Sequence, residues 1–314
     1  MVRVCLLDTS LASLNLGDQI IVDSCMPFIS KNCEIVSVLP THRLPNSEEY
    51  RAANTLGPDV MLFLGTNVLS GNAFRLKQWP VNRRLRNFIA GRTVMMGVGW
   101  WSDQSSEFTS QTLKFYREMA MRGVPWSVRD LATLHKMESI GVEAVFTGCP
   151  TTWNLSNFST PVAGAKIVST LTSYRRNRKV DREWVKSLMS QCEVFWWPQS
   201  VADTSYMVSI GVPRERILSV DVRVLRHVLL NWAEGYLGTR LHAGILALQL
   251  GVPTAVIQVD NRTRELGQDQ SIPTVLRDSE EIAKLLGNPK SGSIFVPETQ
   301  INSWLEQLRN WKAG

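Results

Sequence analysis

Short, continuous apolar runs alternate with amphipathic stretches through the first half of this 314-residue chain. Residues 2–7, 34–39, 59–64, 93–98 and 143–146 read as strands, and 18–29, 47–56, 82–89, 110–121 and 129–140 as helices. Strands that are apolar along their whole length and separated by helices belong to a parallel sheet covered on both faces. The alternation pauses at 154–164, a polar stretch with Pro161 and Gly164 that reads as a linker. It then resumes, with strands expected at 165–171, 193–197, 217–220 and 254–259 and helices at 182–190, 202–210, from 240 onward and at 279–286. Ile301, Trp304, Leu305, Leu308 and Trp311 recur at helical spacing near the end. The expected fold is α/β, with two Rossmann-like doubly wound domains at 1–153 and 165–297 and a 298–314 helix that packs back on the first. Two such domains facing each other leave a cleft at the carboxyl ends of both sheets, where ligands of these sheets bind.

Composition narrows the class. Hydrophobic residues at 44% and charged ones at 20% fit a soluble globular protein. No apolar run reaches the ~20 residues of a membrane helix. Residues 1–8 read as a first strand rather than a signal peptide, so a cytoplasmic location is expected. Five cysteines without CxxC spacing and only four histidines argue against a disulfide framework and predict no metal. A net charge of +6 suits anionic partners: phosphorylated metabolites, acidic glycans or peripheral contact with an anionic membrane surface. The only dense basic cluster is 175–179, too little for a nucleic-acid module, and no nucleic acid is expected. Eleven tryptophans offer faces for sugar rings, or simply core.

Candidate chemistry gathers after the expected strands. Gly238-Thr239-Arg240-Leu241-His242-Ala243-Gly244, with the apolar run up to Gly251-Val252-Pro253, reads as a turn, a helix and a stop. Thr239 is the expected N-cap, and Gly251 sits where a left-handed C-cap belongs. Arg240 and His242 then occupy a first turn whose unpaired N–H groups favour an anion. Either they serve a small anionic substrate, or Arg240 answers a carboxylate and His242 is a satisfied core residue. Asn15-Leu16-Gly17-Asp18 opens the first helix, where Asp18 caps it or presents a carboxylate. Gly65-Thr66-Asn67 permits close backbone approach, and Trp100-Trp101 either stack on a sugar or join the core. Arg175 follows one strand and Gln199 and Asp203 the next, while Arg262 and Arg264 add positive charge beyond a third. Neither a GxGxxG fingerprint, a Walker A loop, a GxSxG elbow nor an HExxH motif occurs.

These residues resemble the polysaccharide pyruvyl transferase family. Arg240-Leu241-His242-Ala243, followed by Gly251-Val252-Pro253, is similar to the family's Arg-x-His-Ala helix and its Gly-x-Pro sequel. Asn15-x-Gly17-Asp18, Val128-Arg129-Asp130, the segment ending at Arg175 and the aromatic strand with downstream Asp203 match in the family's order. Gly65-Thr66-Asn67 departs from the family's glycine triplet, and Asp260 to Arg264 lacks its lysine.

The resemblance implies a GT-B-like arrangement and transfer of pyruvate from phosphoenolpyruvate onto two hydroxyls of a surface-glycan or lipid-linked sugar. It implies no cofactor beyond that donor. His242 would act as acid and then base, with Arg240 and Asp18 beside it. Arg175, Thr239, Arg240, Leu241 and Arg262 would hold the donor, and Asn15, Gly17, Gly65, Asn67, Trp100 and Trp101 the acceptor. A glycosyltransferase using a sugar nucleotide, or a non-catalytic glycan-binding protein of the same fold, are the alternatives.

Overall fold

A computed structural model describes residues 1–75, 79–102 and 107–311. The chain divides into two compact units. One holds Met1–Ser13, Ile21–Trp153 and the chain from Pro297; the other holds Leu14–Ile20 and Asn154–Val296.

The first unit contains β1 (Val2–Asp8), α1 (Leu16–Asn32, from Ile21 on), β2 (Cys33–Pro40), α2 (Ser47–Leu56) and β3 (Val60–Leu64). It continues with β4 (Asn67–Leu69), α3 (Arg83–Ile89), β5 (Thr93–Met96), β6 (Gly99–Trp100), α4 (Ser110–Met119), β7 (Trp126–Val128), α5 (Leu131–Ser139) and β8 (Ala144–Phe146). Its main sheet runs β2-β1-β3-β5, all parallel. Every residue of β3 and β5 is buried, which is why those strands are apolar without alternation. Local chemistry sets the helix ends. Asn46 Oδ1 accepts from Glu48 N and Glu49 N while Glu49 Oε2 accepts from Asn46 N, a capping box for α2, and Gly57 ends that helix at φ 55°.

The second unit contains β9 (Asn157–Ser159), β10 (Lys166–Ser169), α6 (Arg178–Gln191), β11 (Glu193–Trp196), α7 (Val201–Ser209) and α8 (Val222–Asn231). It closes with β12 (Gly235–Gly238), α9 (Leu241–Gln249), β13 (Thr254–Ile257), α10 (Asn261–Gln270), β14 (Thr274–Val275), α11 (Ser279–Gly287) and β15 (Ser291–Ser293). The last helix, α12 (Glu298–Asn310), returns to the first unit. There Trp304 Nε1 donates to the Pro125 carbonyl at 2.8 Å and its ring meets Trp153 edge-on. The sheet of the second unit runs β11-β10-β12-β13-β14, all parallel. Its strand order reverses beside β10, so the loops leaving β10 and β12 flank a switch point, the favoured place for a ligand in a doubly wound sheet.

Several expectations need correction. Residues 217–220 form no strand: Arg214–Arg216 is a 3-10 turn, and Ile217 makes a single parallel bridge to Trp196. Helix α8 follows, capped by Asp221, whose carboxylate accepts from Arg223 N at 2.7 Å, with Val222, Leu225 and Leu229 buried at helical spacing. Gly238 ends a strand rather than making a turn. The linker contributes β9, which pairs antiparallel with β15. Asp260 to Arg264 is the start of α10, with Asp260 as its N-cap.

The stop of α9 matches its sequence. Gly251 lies at φ 74°, its N–H bonds the Leu248 carbonyl, and the Val252 N–H reaches back to Ala247, the paired bonds of a Schellman motif. A Cβ there would meet nothing within 4 Å. Gly251→Ala is therefore expected to cost only the backbone penalty, about 1 kcal/mol, read as a lowered urea midpoint at unchanged slope.

Candidate active site

The loop leaving β10 and the start of α9 are bound into one block. Arg240, not Thr239, is the N-cap of α9, and its own side chain makes no capping bond to the helix. Thr239 Oγ1 accepts from Thr172 N at 2.8 Å, tying the two loops together. The backbone of Arg240 is held at both ends. Its N–H donates to Thr170 Oγ1 at 3.0 Å, and its carbonyl accepts from Tyr236 Oη at 2.7 Å. Since the Tyr236 proton is spent there, the Thr170 hydroxyl donates to Tyr236 Oη, and the ring of three bonds closes. His242 follows as the second residue of the helix, 5% exposed.

The guanidinium of Arg240 is not the free anion clamp that the sequence suggests. Nε and Nη2 donate to the carboxylate of Asp203, at 3.0 and 2.6 Å. That carboxylate, fully buried, also accepts from the backbone N–H groups of Ser173, Gln199 and Ser200. Asp203 thus caps α7 and aims Arg240 at once. The pairing converts Arg240 from a free charge into an oriented donor group.

Nothing in the sequence around Tyr174 marks it as a site residue, yet it joins the charged groups here. Its ring lies between two guanidiniums, 4.9 Å from Arg240 and 5.6 Å from Arg262. Its hydroxyl donates to Asp260 at 2.9 Å and accepts from Arg262 Nη2. Burial raises the phenol above its ordinary pKa, with Arg262 opposing. Arg262 in turn is held by Asp260. Burial works against its charge, but Tyr174, Asp260 and Asp18 together keep it protonated above its usual range. Asp18, Asp260 and Asp203 thus set three carboxylates against the two guanidiniums of Arg240 and Arg262. Arg175, next to Tyr174 in sequence, is exposed at φ 51°. Leu241, the first residue of α9, is 4% exposed.

Asn15 and Gly17 belong to this unit too. Leu16 N donates to the Gln199 carbonyl, and Gln199 Nε2 donates to Asn15 Oδ1 at 2.6 Å. A Cβ on Gly17 would sit 2.6 Å from Gln199 Nε2, so glycine is what admits the amide.

The remaining candidates lie in the first unit, and Gly65, Asn67 and Trp100 have structural work there. Gly65, at φ 54°, makes room for α1: a Cβ would meet Ile21 Cγ2 at 2.2 Å. Asn67 accepts from Arg129, a buried guanidinium bound also to Asp130. Trp100 is 3% exposed, packed edge-on against Phe108 with Lys136 Nζ over its ring, so it presents no face to a sugar. Trp101 is 44% exposed and keeps one. Burial pushes the Cys5 and Cys33 thiols to about 11 and Cys25 well above its usual value, which leaves them poor nucleophiles. Among the described residues no three His, Cys, Asp or Glu side chains converge as for a metal, and no helix is long and apolar enough to cross a membrane.

Comparison with solved structures gives the fold independently. The chain is similar to Staphylococcus aureus MnaA in its co-structure with UDP, at 10% identity and TM-score 0.51 over 98% of this chain and 91% of that one. It is similar also to the UDP-GlcNAc 2-epimerase of Methanocaldococcus jannaschii, at 12% identity and TM-score 0.50 over 99% and 95%. At such identities the likeness shows a fold of the GT-B class and nothing about ligands. No curated protein sequence matches the chain. The sequence model of the family "Polysaccharide pyruvyl transferase" matches residues 15–209, from the Asn15 turn through Asp203 to the end of α7. Since that match spans well over half of the 314 residues, the chain belongs to the polysaccharide pyruvyl transferase family.

Proposed function

We propose that this protein transfers pyruvate from phosphoenolpyruvate onto two hydroxyls of a glycan sugar, free or lipid-linked, with release of phosphate. The observation that carries this reading is the start of α9, where His242 stands in the first turn and Asp203 aims Arg240, its N-cap residue. Backbone N–H groups, Arg240 and Arg175 suit the phosphate and carboxylate of such a donor, with Thr239 and Leu241 supplying backbone and Arg262 charge.

The balance of the reaction defines the residues' tasks. Two C–O bonds form at the donor's second carbon while its bond to the phosphate oxygen breaks. One of the two sugar hydroxyl protons ends on the methylene carbon, which becomes methyl, and the other on the departing phosphate. An imidazole that collects a hydroxyl proton and delivers it to carbon can serve both halves, and the position of His242 in the first turn of α9 supports giving it that role. Asp18 is the candidate to orient an acceptor hydroxyl.

Incubation with phosphoenolpyruvate and a panel of galactose- and mannose-type acceptors should release phosphate and add pyruvate mass to one of them. His242→Ala is expected to lower turnover by ~10²-fold or more when assayed at a temperature where the variant remains folded. Stabilisation and turnover with a sugar nucleotide, and silence with phosphoenolpyruvate, would instead establish a glycosyltransferase. A His242→Ala protein as active as the parent would remove the imidazole from the mechanism.

A further inference from the structure

Two buried oxygen atoms beside this block have no hydrogen-bond partner among the described residues: Thr172 Oγ1, on the loop leaving β10, and Gln199 Oε1, on the loop leaving β11. Both residues are almost wholly buried, at 0% and 3% exposure. A buried polar atom without a partner costs stability, so each such atom calls for a reason. Their backbones adjoin the carboxylate that aims Arg240: Ser173 N, next to Thr172, and Gln199 N each donate to Asp203.

The orientation of the Gln199 amide follows from its surroundings rather than from choice. Asn15 Oδ1 accepts from Gly17 N, which fixes that oxygen as the acceptor facing Gln199. Gln199 must then turn Nε2 to it, as observed at 2.6 Å, and its Oε1 is left as a pure acceptor. Thr172 is different. Its backbone N–H is used by Thr239, but its hydroxyl can still give one hydrogen bond and receive others.

That pair discriminates between ligands. Phosphoenolpyruvate at neutral pH offers acceptors only; it could engage Thr172 and would leave Gln199 orphaned. A sugar hydroxyl both gives and receives. We infer that Thr172 and Gln199 form a hydroxyl-recognition site in the second unit that holds the acceptor sugar next to Arg240 and His242. The inference rests on the pyruvyl transfer reading for the identity of that sugar as acceptor. Gln199 Oε1 receives one sugar hydroxyl, Thr172 Oγ1 gives to another oxygen of the same ring, and the unsatisfied atoms are the stability cost of keeping the site ready.

Thr172→Val separates this from an idle defect, because valine fills the same space without the hydroxyl. The variant is expected to melt at or above the parent temperature and yet to raise the acceptor KM by ~10-fold or more, with the phosphoenolpyruvate KM within about twofold. Gln199→Met should raise the acceptor KM likewise, with a lower melting temperature from the lost Asn15 bond. Saturation-transfer NMR with methyl galactoside, methyl mannoside and UDP gives a readout independent of turnover. Glycoside signals that appear with the parent and vanish with Thr172→Val support the site even if phosphoenolpyruvate proves not to be the donor. Loss of a UDP signal alone assigns the two atoms to a nucleotide and overturns the acceptor role. An unchanged acceptor KM together with unchanged glycoside signals, or no glycoside signal from the parent at all, overturns the site.

Discussion

Asp203→Ala is expected to lose about 3–5 kcal/mol of stability, the typical cost of removing one partner from a buried ion pair. Arg240 would keep a charge in a place 7% exposed to solvent without the carboxylate that pairs it, and three backbone N–H groups, on Ser173, Gln199 and Ser200, would lose their acceptor. Urea unfolding should show a midpoint shift at constant slope, and the phosphate-release assay should fall with it as Arg240 loses its direction. Asp203→Asn is the milder control: it keeps the volume and one oxygen but turns an N–H toward donors. The double variant Asp203→Ala with Arg240→Met tests the cause, since removing the unpaired charge should recover a large part of the loss. If Asp203→Ala stays within 1 kcal/mol of the parent, the pair is not what holds this block together.

How much of this was legible in the sequence depends on what each residue shows by itself. Apolar strands such as Val60–Leu64 are buried on both faces and announce themselves. Gly235–Gly238 does not, because the centre of a sheet here is made with glycine, which carries no periodicity. The reason lies in neighbours far off in sequence: a Cβ on Gly235 would meet Pro161 Cβ at 2.6 Å and Ile167 Cδ1 at 2.7 Å. The stop of α9 at Gly251 and the presence of Arg240 and His242 in or beside its first turn are local facts, and local patterns reported them, though they set its N-cap one residue early, at Thr239 instead of Arg240. Which groups those side chains meet is not local. Asp203 lies 37 residues from Arg240, and Tyr174 lies 88 from Arg262, so only the folded sheet brings them together. The same blindness leaves Trp100 open between sugar platform and core, since a tryptophan at a strand end reads alike whether it faces solvent or Phe108. Asp260 left a readable trace: an Asp three residues before Thr263, at the head of a polar run, is an ordinary helix start.

Gly238→Ala is the second change with a large expected effect, and it acts through the backbone. The added Cβ would lie 2.4 Å from Thr170 Oγ1, 2.5 Å from Thr170 N and 3.1 Å from its carbonyl. Two of these are backbone atoms of the loop leaving the adjacent strand, so no rotamer change relieves the contact. The loops leaving β10 and β12 must part, and the atom displaced is the one that accepts from Arg240 N and donates to Tyr236. A loss of about 3 kcal/mol is expected, at the upper end of overpacking costs. Turnover should fall by ~10²-fold even at temperatures where the variant remains folded, because a displacement of ~1 Å at a positioned group costs that much. Gly251→Ala is the matched control, a glycine in the same segment with open space around it and no path to the ring of three bonds. A Gly238→Ala protein that loses stability but keeps full turnover would show that the fixed backbone of Arg240 serves the fold alone. Full retention of both would mean that β10 and β12 can separate there without consequence, and the role given to Thr170 and Tyr236 in holding the start of α9 would fall.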